Sequence, residues 1–105
     1  MKYIYTLYKQ DGTKEKVAKR PTEMPFADMY KHLNCSTIEL LPNSYLPDEL
    51  ARREGVTAFA DEEARFNSEN LRNPHFKVLH GNEAIGEPKE WDVVGDIMIE
   101  EQVNG

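Results

Sequence analysis

The sequence predicts an α+β fold, with a small, mostly antiparallel sheet and helices packed on one face. Apolar, β-branched runs near both ends of the chain have the composition of strands, and shorter segments carry the three-and-four spacing of helices. An Asp-Gly dipeptide separates the first two strand-like runs, as in a hairpin. Because strands and helices do not alternate strictly, α+β is favoured over a doubly wound parallel sheet.

The chain begins with a predicted hairpin over residues 2–19. Residues 2–9 carry apolar bulk on both faces, so this strand is expected to have neighbours or a partly covered surface. Asp11 and Gly12 suit a tight turn, in which both central residues need positive φ. The returning strand, residues 14–19, is rich in Lys, which is typical of a protected sheet edge.

Two helices and two strands are predicted in the middle of the chain. Pro25 fits the start of a helix that ends at Asn34 and whose apolar side chains recur every three or four residues. A strand follows over residues 36–41, then a short helix within residues 44–54 that ends near Gly55, and a strand over residues 56–60. Residues 64–72 are predicted to be a polar loop or a frayed helix, with Phe66 and Leu71 as its anchors.

Residues 73–100 are predicted to form a helix, a loop and a core strand. Asn73 and Pro74 have the residue types of a helix N-cap and first helical position, and Gly81 can end the helix. The polar residues 82–90 form the loop. The apolar, β-branched run from Trp91 to Ile99 predicts the central strand of the sheet. The 105 residues fit one domain.

The negative charge is concentrated in the second part of the chain. Residues 1–36 contain seven Lys/Arg and four Asp/Glu, whereas residues 37–105 contain six and fifteen. Such an acidic surface argues against binding to nucleic-acid phosphates or anionic lipid and favours a protein partner with a basic surface. The candidate contact residues are Asp61, Glu62, Glu63, Glu69 and Asp96.

Cysteine content and hydropathy indicate the compartment. Cys35 is the single cysteine, so an internal disulfide is impossible, which fits a reducing environment. The N-terminus is too polar for a signal-peptide core, and no apolar run approaches membrane-spanning length. We therefore expect a cytoplasmic protein that does not contact a membrane.

The sequence gives little indication of a metal-binding site or of a catalytic cysteine. His32 and Cys35 have His-x-x-Cys spacing, but His75 and His80 are five residues apart, so one helix would not present both. Cysteine catalysis would need a base near Cys35, with His75 or His80 as candidates and His32 as a plausible neighbour, but no oxyanion-type Gly pair surrounds Cys35. We expect no metal, no cofactor and no enzymatic activity.

The carboxylates have the pattern of turn and surface residues. Asp61 and the two acids that follow it lie on a polar turn, where Asp61 is expected to form a turn hydrogen bond. Asp96 lies in an apolar strand and would need a partner if it points inward, such as Arg65, Arg72 or a backbone N–H. These acids therefore predict a surface and not an acid–base pair.

Two alternative functions remain open. The first is that the acidic second part mimics duplex phosphates and inhibits a host nuclease or defence complex. The second is single-stranded nucleic-acid binding by the N-terminal hairpin, in which aromatic rings alternate with basic side chains. The hairpin residues concerned are Tyr3, Tyr5, Tyr8, Lys2, Lys9, Lys14 and Lys16.

Three short motifs resemble a known family over about residues 56–99. They are Asp61-Glu62-Glu63 after an apolar strand, Asn73-Pro74 before a helix ending with Leu79, and Val94-Gly95-Asp96-Ile97 in the last strand. The family is a group of short, functionally uncharacterised domains that bacteriophages and plasmids carry. This chain departs from its pattern at Ala64, where the family tends to have Gly, and at Phe76, where it tends to have Ala. The resemblance implies a mobile-element accessory protein in a bacterial cytoplasm.

Overall fold

The structure, a computed structural model, describes residues 2–77, 79–80 and 90–104. Its strands are β1 (Lys2–Tyr8), β2 (Lys14–Arg20), β3 (Ile38–Leu41), β4 (Val56–Asp61), β5 (Leu79–His80), β6 (Glu90–Trp91) and β7 (Ile97–Val103). The α-helices are α1 (Phe26–Leu33) and α2 (Asp48–Ala51). Short 3₁₀ helices cover Asn43–Tyr45 and Ala64–Phe66.

Five strands form one sheet in the order β2-β1-β7-β4-β3, and every pairing in it is antiparallel. The last strand of the chain is therefore the middle strand of the sheet, as predicted. β5 and β6 form a separate antiparallel pair. The predicted α+β class and antiparallel sheet are confirmed.

The central strand divides its side chains between two apolar clusters. Ile97 and Ile99 pack in a cluster with Leu50 of α2, whereas Met98 packs in a second cluster with Met29 of α1. Successive side chains of a strand point to opposite faces of the sheet, so the two helices lie on opposite faces. The predicted placement of both on one face is wrong. A strand that is apolar on both sides needs cover on both sides.

The N-terminal hairpin is confirmed. β1 pairs antiparallel with β2 from Tyr3 opposite Arg20 to Tyr8 opposite Lys14. The turn differs from the predicted one, because Gly12 has a positive φ of 93° but Asp11 does not. The N–H of Gly12 donates a hydrogen bond to the carbonyl of Lys9, so the turn spans residues 9–12 and the glycine ends it. The hairpin ends one residue later than predicted, at Arg20.

The first helix also matches its prediction. α1 follows Pro25, and its last turn is closed by Asn34 in the left-handed conformation, with φ of 52°. The helix predicted within residues 44–54 is found as two shorter pieces, the first 3₁₀ helix and α2. Pro47 lies directly before α2, in extended conformation.

The helix predicted to begin at Asn73 is wrong. Residues 74–76 form turns, and β5 follows. Asn73 Oδ1 accepts a hydrogen bond from the N–H of His75, which is an Asx turn and not a helix cap. Asn73 Nδ2 donates to the backbone carbonyls of Tyr8 and Gly95, which ties the turn to the sheet. Gly81 and residues 82–89 of the predicted loop lie outside the described residues.

The last strand begins at Ile97 and not at Trp91. Gly95 has a φ of 78°, a left-handed conformation that interrupts extended backbone before β7. Val94 forms only an isolated bridge with Arg72. At its other end β7 continues to Val103, beyond the predicted end of the strand.

Candidate functional site

The acidic turn follows directly after β4. Asp61 Oδ1 accepts a 2.9 Å hydrogen bond from the N–H of Glu63, which confirms the predicted turn hydrogen bond. Glu62 and Glu63 are exposed. The buried methyl group of Ala64 then anchors the second 3₁₀ helix. The turn therefore presents its carboxylates to solvent.

Asp61 and Asp96 line the same small cleft, of about 160 Å³. Amide side chains make up much of the rest of its lining, from Gln10, Asn34, Asn67 and Asn70. Both aspartates are half-buried. The structure thus brings together two of the five predicted contact residues, which are 35 positions apart in the sequence.

Asp96 is held by a backbone amide. Its Oδ1 accepts a 2.9 Å hydrogen bond from the N–H of Gln10, so a backbone N–H is the partner found for it. Arg65 and Arg72, the two other predicted partners, instead bind Asp92, through its carbonyl and its carboxylate respectively. Asp96 therefore fixes the end of the hairpin loop against the start of β7.

The other predicted acids, Glu62, Glu63 and Glu69, do not line this cleft. Glu63 and Asp61 line a neighbouring open cleft of about 670 Å³. Glu62 lines a third cleft of about 320 Å³, together with Arg65. Glu69 is exposed, and its N–H donates to Asn67 Oδ1. The five acids form a broad surface and do not converge on one point.

Two large apolar side chains on this surface are exposed, although both were predicted to be anchors. Phe66 is 88% exposed and Leu71 is 63% exposed. Both residues stand out in the sequence as strong hydrophobes in an otherwise polar segment. The sequence does not distinguish a hydrophobe that packs into the core from one that is exposed to contact a partner. Their exposure is the feature that sequence reasoning missed.

His75, one of the possible metal ligands, contacts the N-terminal hairpin. His75 Nε2 lies 3.2 Å from the carbonyl oxygen of Thr13, and its ring meets the Tyr8 ring edge-on. Cys35 is half-buried, and burial raises the pKa of its thiol. Within the described residues, no group of three or more His, Cys, Asp or Glu is placed to hold a metal ion. The side chain of His80 lies outside them.

Two of the three hairpin tyrosines, Tyr5 and Tyr8, do not present open ring faces. Tyr5 is fully buried and Tyr8 is 6% exposed, and the Tyr8 ring packs against Phe76. A stacking platform needs open ring faces. Tyr5 and Tyr8 are therefore core residues, whereas Tyr3 is half-buried beside the cluster that contains Tyr5.

Tyr5 and Glu100 form a buried pair between the central strands. They lie directly opposite each other in the β1–β7 ladder, and the Tyr5 hydroxyl donates a 2.7 Å hydrogen bond to Glu100 Oε2. The same hydroxyl accepts a 2.7 Å bond from the N–H of Met24. Burial raises the pKa of the Tyr5 hydroxyl, and the hydrogen bond to Glu100 raises it further.

This pair makes stability depend on pH in the alkaline range. The unfolded chain loses the Tyr5 proton near pH 10, whereas the folded chain keeps it, so stability is expected to fall with rising pH by about 1.4 kcal/mol per pH unit above about 10. Urea unfolding between about pH 8 and 11 measures the slope. Tyr5→Phe is expected to reduce the slope, and Tyr3→Phe, on the same strand, is expected to keep it. Equal slopes for wild type and Tyr5→Phe would contradict the prediction.

Within the described ranges, neither helix is long and apolar enough to cross a membrane. Comparison of the chain with protein-family models, with curated proteins and with solved structures found no match.

Proposed function

We propose that this chain is a non-enzymatic accessory protein of a mobile genetic element and acts in the bacterial cytoplasm by binding another protein. The proposed contact is the acidic face, which we define as residues 61–71 together with Asp96. The expected partner has a basic surface. The assignment to a mobile element follows from the family resemblance of residues 56–99.

The exposure of Phe66 and Leu71 among carboxylates is the observation that carries the proposal. Burying a large apolar side chain at an interface contributes about 1.5–3 kcal/mol. Glu63 and Glu69 are each three residues from Phe66 and are exposed. An apolar anchor within a charged rim is the usual composition of a protein contact. The rim charges would speed association with a basic partner.

Hydrogen bonds hold this segment in place before any partner binds. Asn70 Nδ2 donates a 2.8 Å bond to the carbonyl of Ala64, across the turn that carries Phe66. The N–H of Leu71 donates a 2.8 Å bond to Gln10 Oε1, and its carbonyl accepts one from Gly95. A segment fixed in this way loses less conformational entropy on binding. These contacts support the acidic face as a prepared surface.

Photo-crosslinking at the apolar anchor tests the proposal. Phe66 is replaced by p-benzoylphenylalanine in the full chain expressed in bacteria, and crosslinked proteins are identified by mass spectrometry. We expect one dominant protein with a basic surface. The same replacement at Thr22, an exposed position in the connector before α1, is expected to give none of it. The same crosslink from both positions, or an acidic partner, would contradict the proposal.

Matched charge variants test the role of the carboxylates. Glu63→Lys with Glu69→Lys is expected to lower the crosslink yield from position 66 by at least about tenfold, because loss of about 1.4 kcal/mol of binding free energy has that effect. The control is Glu49→Lys with Glu54→Lys, which changes net charge equally at exposed positions outside the acidic face. If the two pairs lower the yield equally, net charge and not this face is responsible.

A further inference from the structure

The sheet face that α1 covers is open at one end. There the sheet and the segment leading into α1 form a groove of about 330 Å³. Phe59 and Glu100 belong to its floor, Leu40 of the edge strand β3 lies on one side, and Glu23 and Phe26 lie on the other. None of the five acids predicted as contact residues lines it. The groove is therefore separate from the acidic face.

Glu100 is a buried carboxylate to which the described part of the chain supplies no basic side chain. It is 6% exposed and lies on the central strand. Oε2 accepts the Tyr5 hydrogen bond, whereas Oε1 accepts none from the described residues. Glu100 belongs to the lining of the groove, so its carboxylate can be reached from there. A buried carboxylate is costly when a cation does not compensate it.

Each side of the groove carries an accessible apolar side chain. Phe26 is 56% exposed, and Leu40 is 63% exposed. The Phe26 ring is held in place by an edge-on contact with Phe59, at 6.3 Å between centroids, and by stacking on Tyr30. Apolar sides above an anionic floor are complementary to an alkyl chain that ends in a cation.

We propose that this groove binds a lysine side chain of a partner protein. Its methylene groups would contact Phe26 and Leu40, and its ammonium group would donate to Glu100 Oε1. Lysine fits better than arginine because Tyr5 occupies Oε2, so the two-oxygen edge that a guanidinium binds is not free. A protein fits better than a free amine because Phe26 and Leu40 extend apolar surface to the rim, which only a larger partner would cover. The site goes beyond the proposed function and does not depend on it.

Amide NMR spectra of the full chain, titrated with the peptide acetyl-Leu-Lys-Leu-amide, test this site. We expect saturable shifts centred on Thr57, Glu100 and Gln102, which belong to the floor. Glu100→Gln keeps an acceptor for Tyr5 but removes the charge, and is expected to weaken binding at least about tenfold. Glu101→Gln, the same change at the next residue, is expected to leave the affinity within about twofold of wild type.

Three further probes decide between occupants. We expect weaker binding of peptides that carry norleucine or arginine in place of the lysine, and of n-butylammonium alone. Equal or tighter binding of the norleucine peptide would overturn the role of Glu100. Equal or tighter binding of the arginine peptide would overturn the choice of lysine, and that of n-butylammonium would overturn the choice of a protein.

Two further variants keep the test decisive. If Glu100→Gln does not fold, Leu40→Ser, at an exposed position, replaces it and is expected to weaken binding several-fold. Unchanged binding by whichever variant is used, or no shifts with the lysine peptide, would overturn the proposal. Glu63→Lys with Glu69→Lys is expected to leave this titration unchanged, so failure of the acidic-face proposal can be distinguished from failure of this one.

Discussion

Asn73→Ala is expected to lower the free energy of unfolding by about 3–5 kcal/mol, because it removes three hydrogen bonds in a buried site and each buried group left unpaired costs about 1–3 kcal/mol. The side chain is fully buried. It donates to the carbonyls of Tyr8 and Gly95 at 2.8 and 2.9 Å and accepts from the N–H of His75 at 3.0 Å. These bonds connect the end of β1, the turn before β5 and the segment just before β7. Urea unfolding at pH 7 measures the loss.

Asn67→Ala is the matched control for this prediction. Asn67 Oδ1 also accepts a hydrogen bond two residues along the chain, from the N–H of Glu69, but in an exposed turn. We expect it to lower the free energy of unfolding by less than about 1 kcal/mol. Asn73→Asp keeps the acceptor and loses both donated bonds, so it is expected to be as damaging as Asn73→Ala. If Asn73→Ala is no more destabilising than Asn67→Ala, the hydrogen bonds of Asn73 do not hold these elements together.

The parts of the fold that could be predicted are those set by neighbours in the sequence. The Asp-Gly turn brings two adjacent strands together, and Pro25 and Asn34 delimit α1 through their own backbone preferences. The central position of β7 was predictable as well, because a run that is apolar on both faces is stable only between two covered faces. A strand that is apolar on both faces also requires a helix on each face of the sheet, and the prediction of both helices on one face did not take this into account.

The turn at Asn73 could not be predicted because its two possible structures have the same local sequence. Asn before Pro suits a helix N-cap and an Asx turn equally well. The partners that decide between them, Tyr8 and Gly95, are 65 and 22 residues away. Only the assembled sheet places those carbonyls beside Asn73. A tertiary contact thus overrides a local preference.

The features of the candidate sites were also predictable only in part. Solvent exposure of Glu62, Glu63 and Glu69 follows from a polar sequence and was predictable. The exposure of Phe66 was not, since its neighbours in sequence do not reveal whether another element covers it. The Tyr5–Glu100 pair depends on the register of two strands from opposite ends of the chain. A carboxylate among apolar residues of a strand is a sign of such a pair, but it does not name the partner.

Ile97→Ala is expected to lower the free energy of unfolding by about 2–5 kcal/mol, the range for removing a large aliphatic side chain from a core without complete collapse of the cavity. Ile97 is fully buried in the middle strand, in the cluster that α2 covers. Met98 is equally buried in the cluster that α1 covers, so Met98→Ala is expected to cause a loss in the same range. Ile4→Ala, at a half-buried position in β1, is the matched control and is expected to cause a smaller loss.

The two core variants also test whether the sheet faces unfold together. Ile97 and Met98 share the backbone of β7, which pairs with β1 on one side and β4 on the other. Loss of that backbone uncovers both clusters at once, so each variant is expected to shift one transition that far-UV circular dichroism and tyrosine fluorescence report at the same urea concentration. Two separate transitions in either variant would mean that each helix stabilises its own face of the sheet. A loss below about 1 kcal/mol for Ile97→Ala would mean that the site collapses without leaving a cavity.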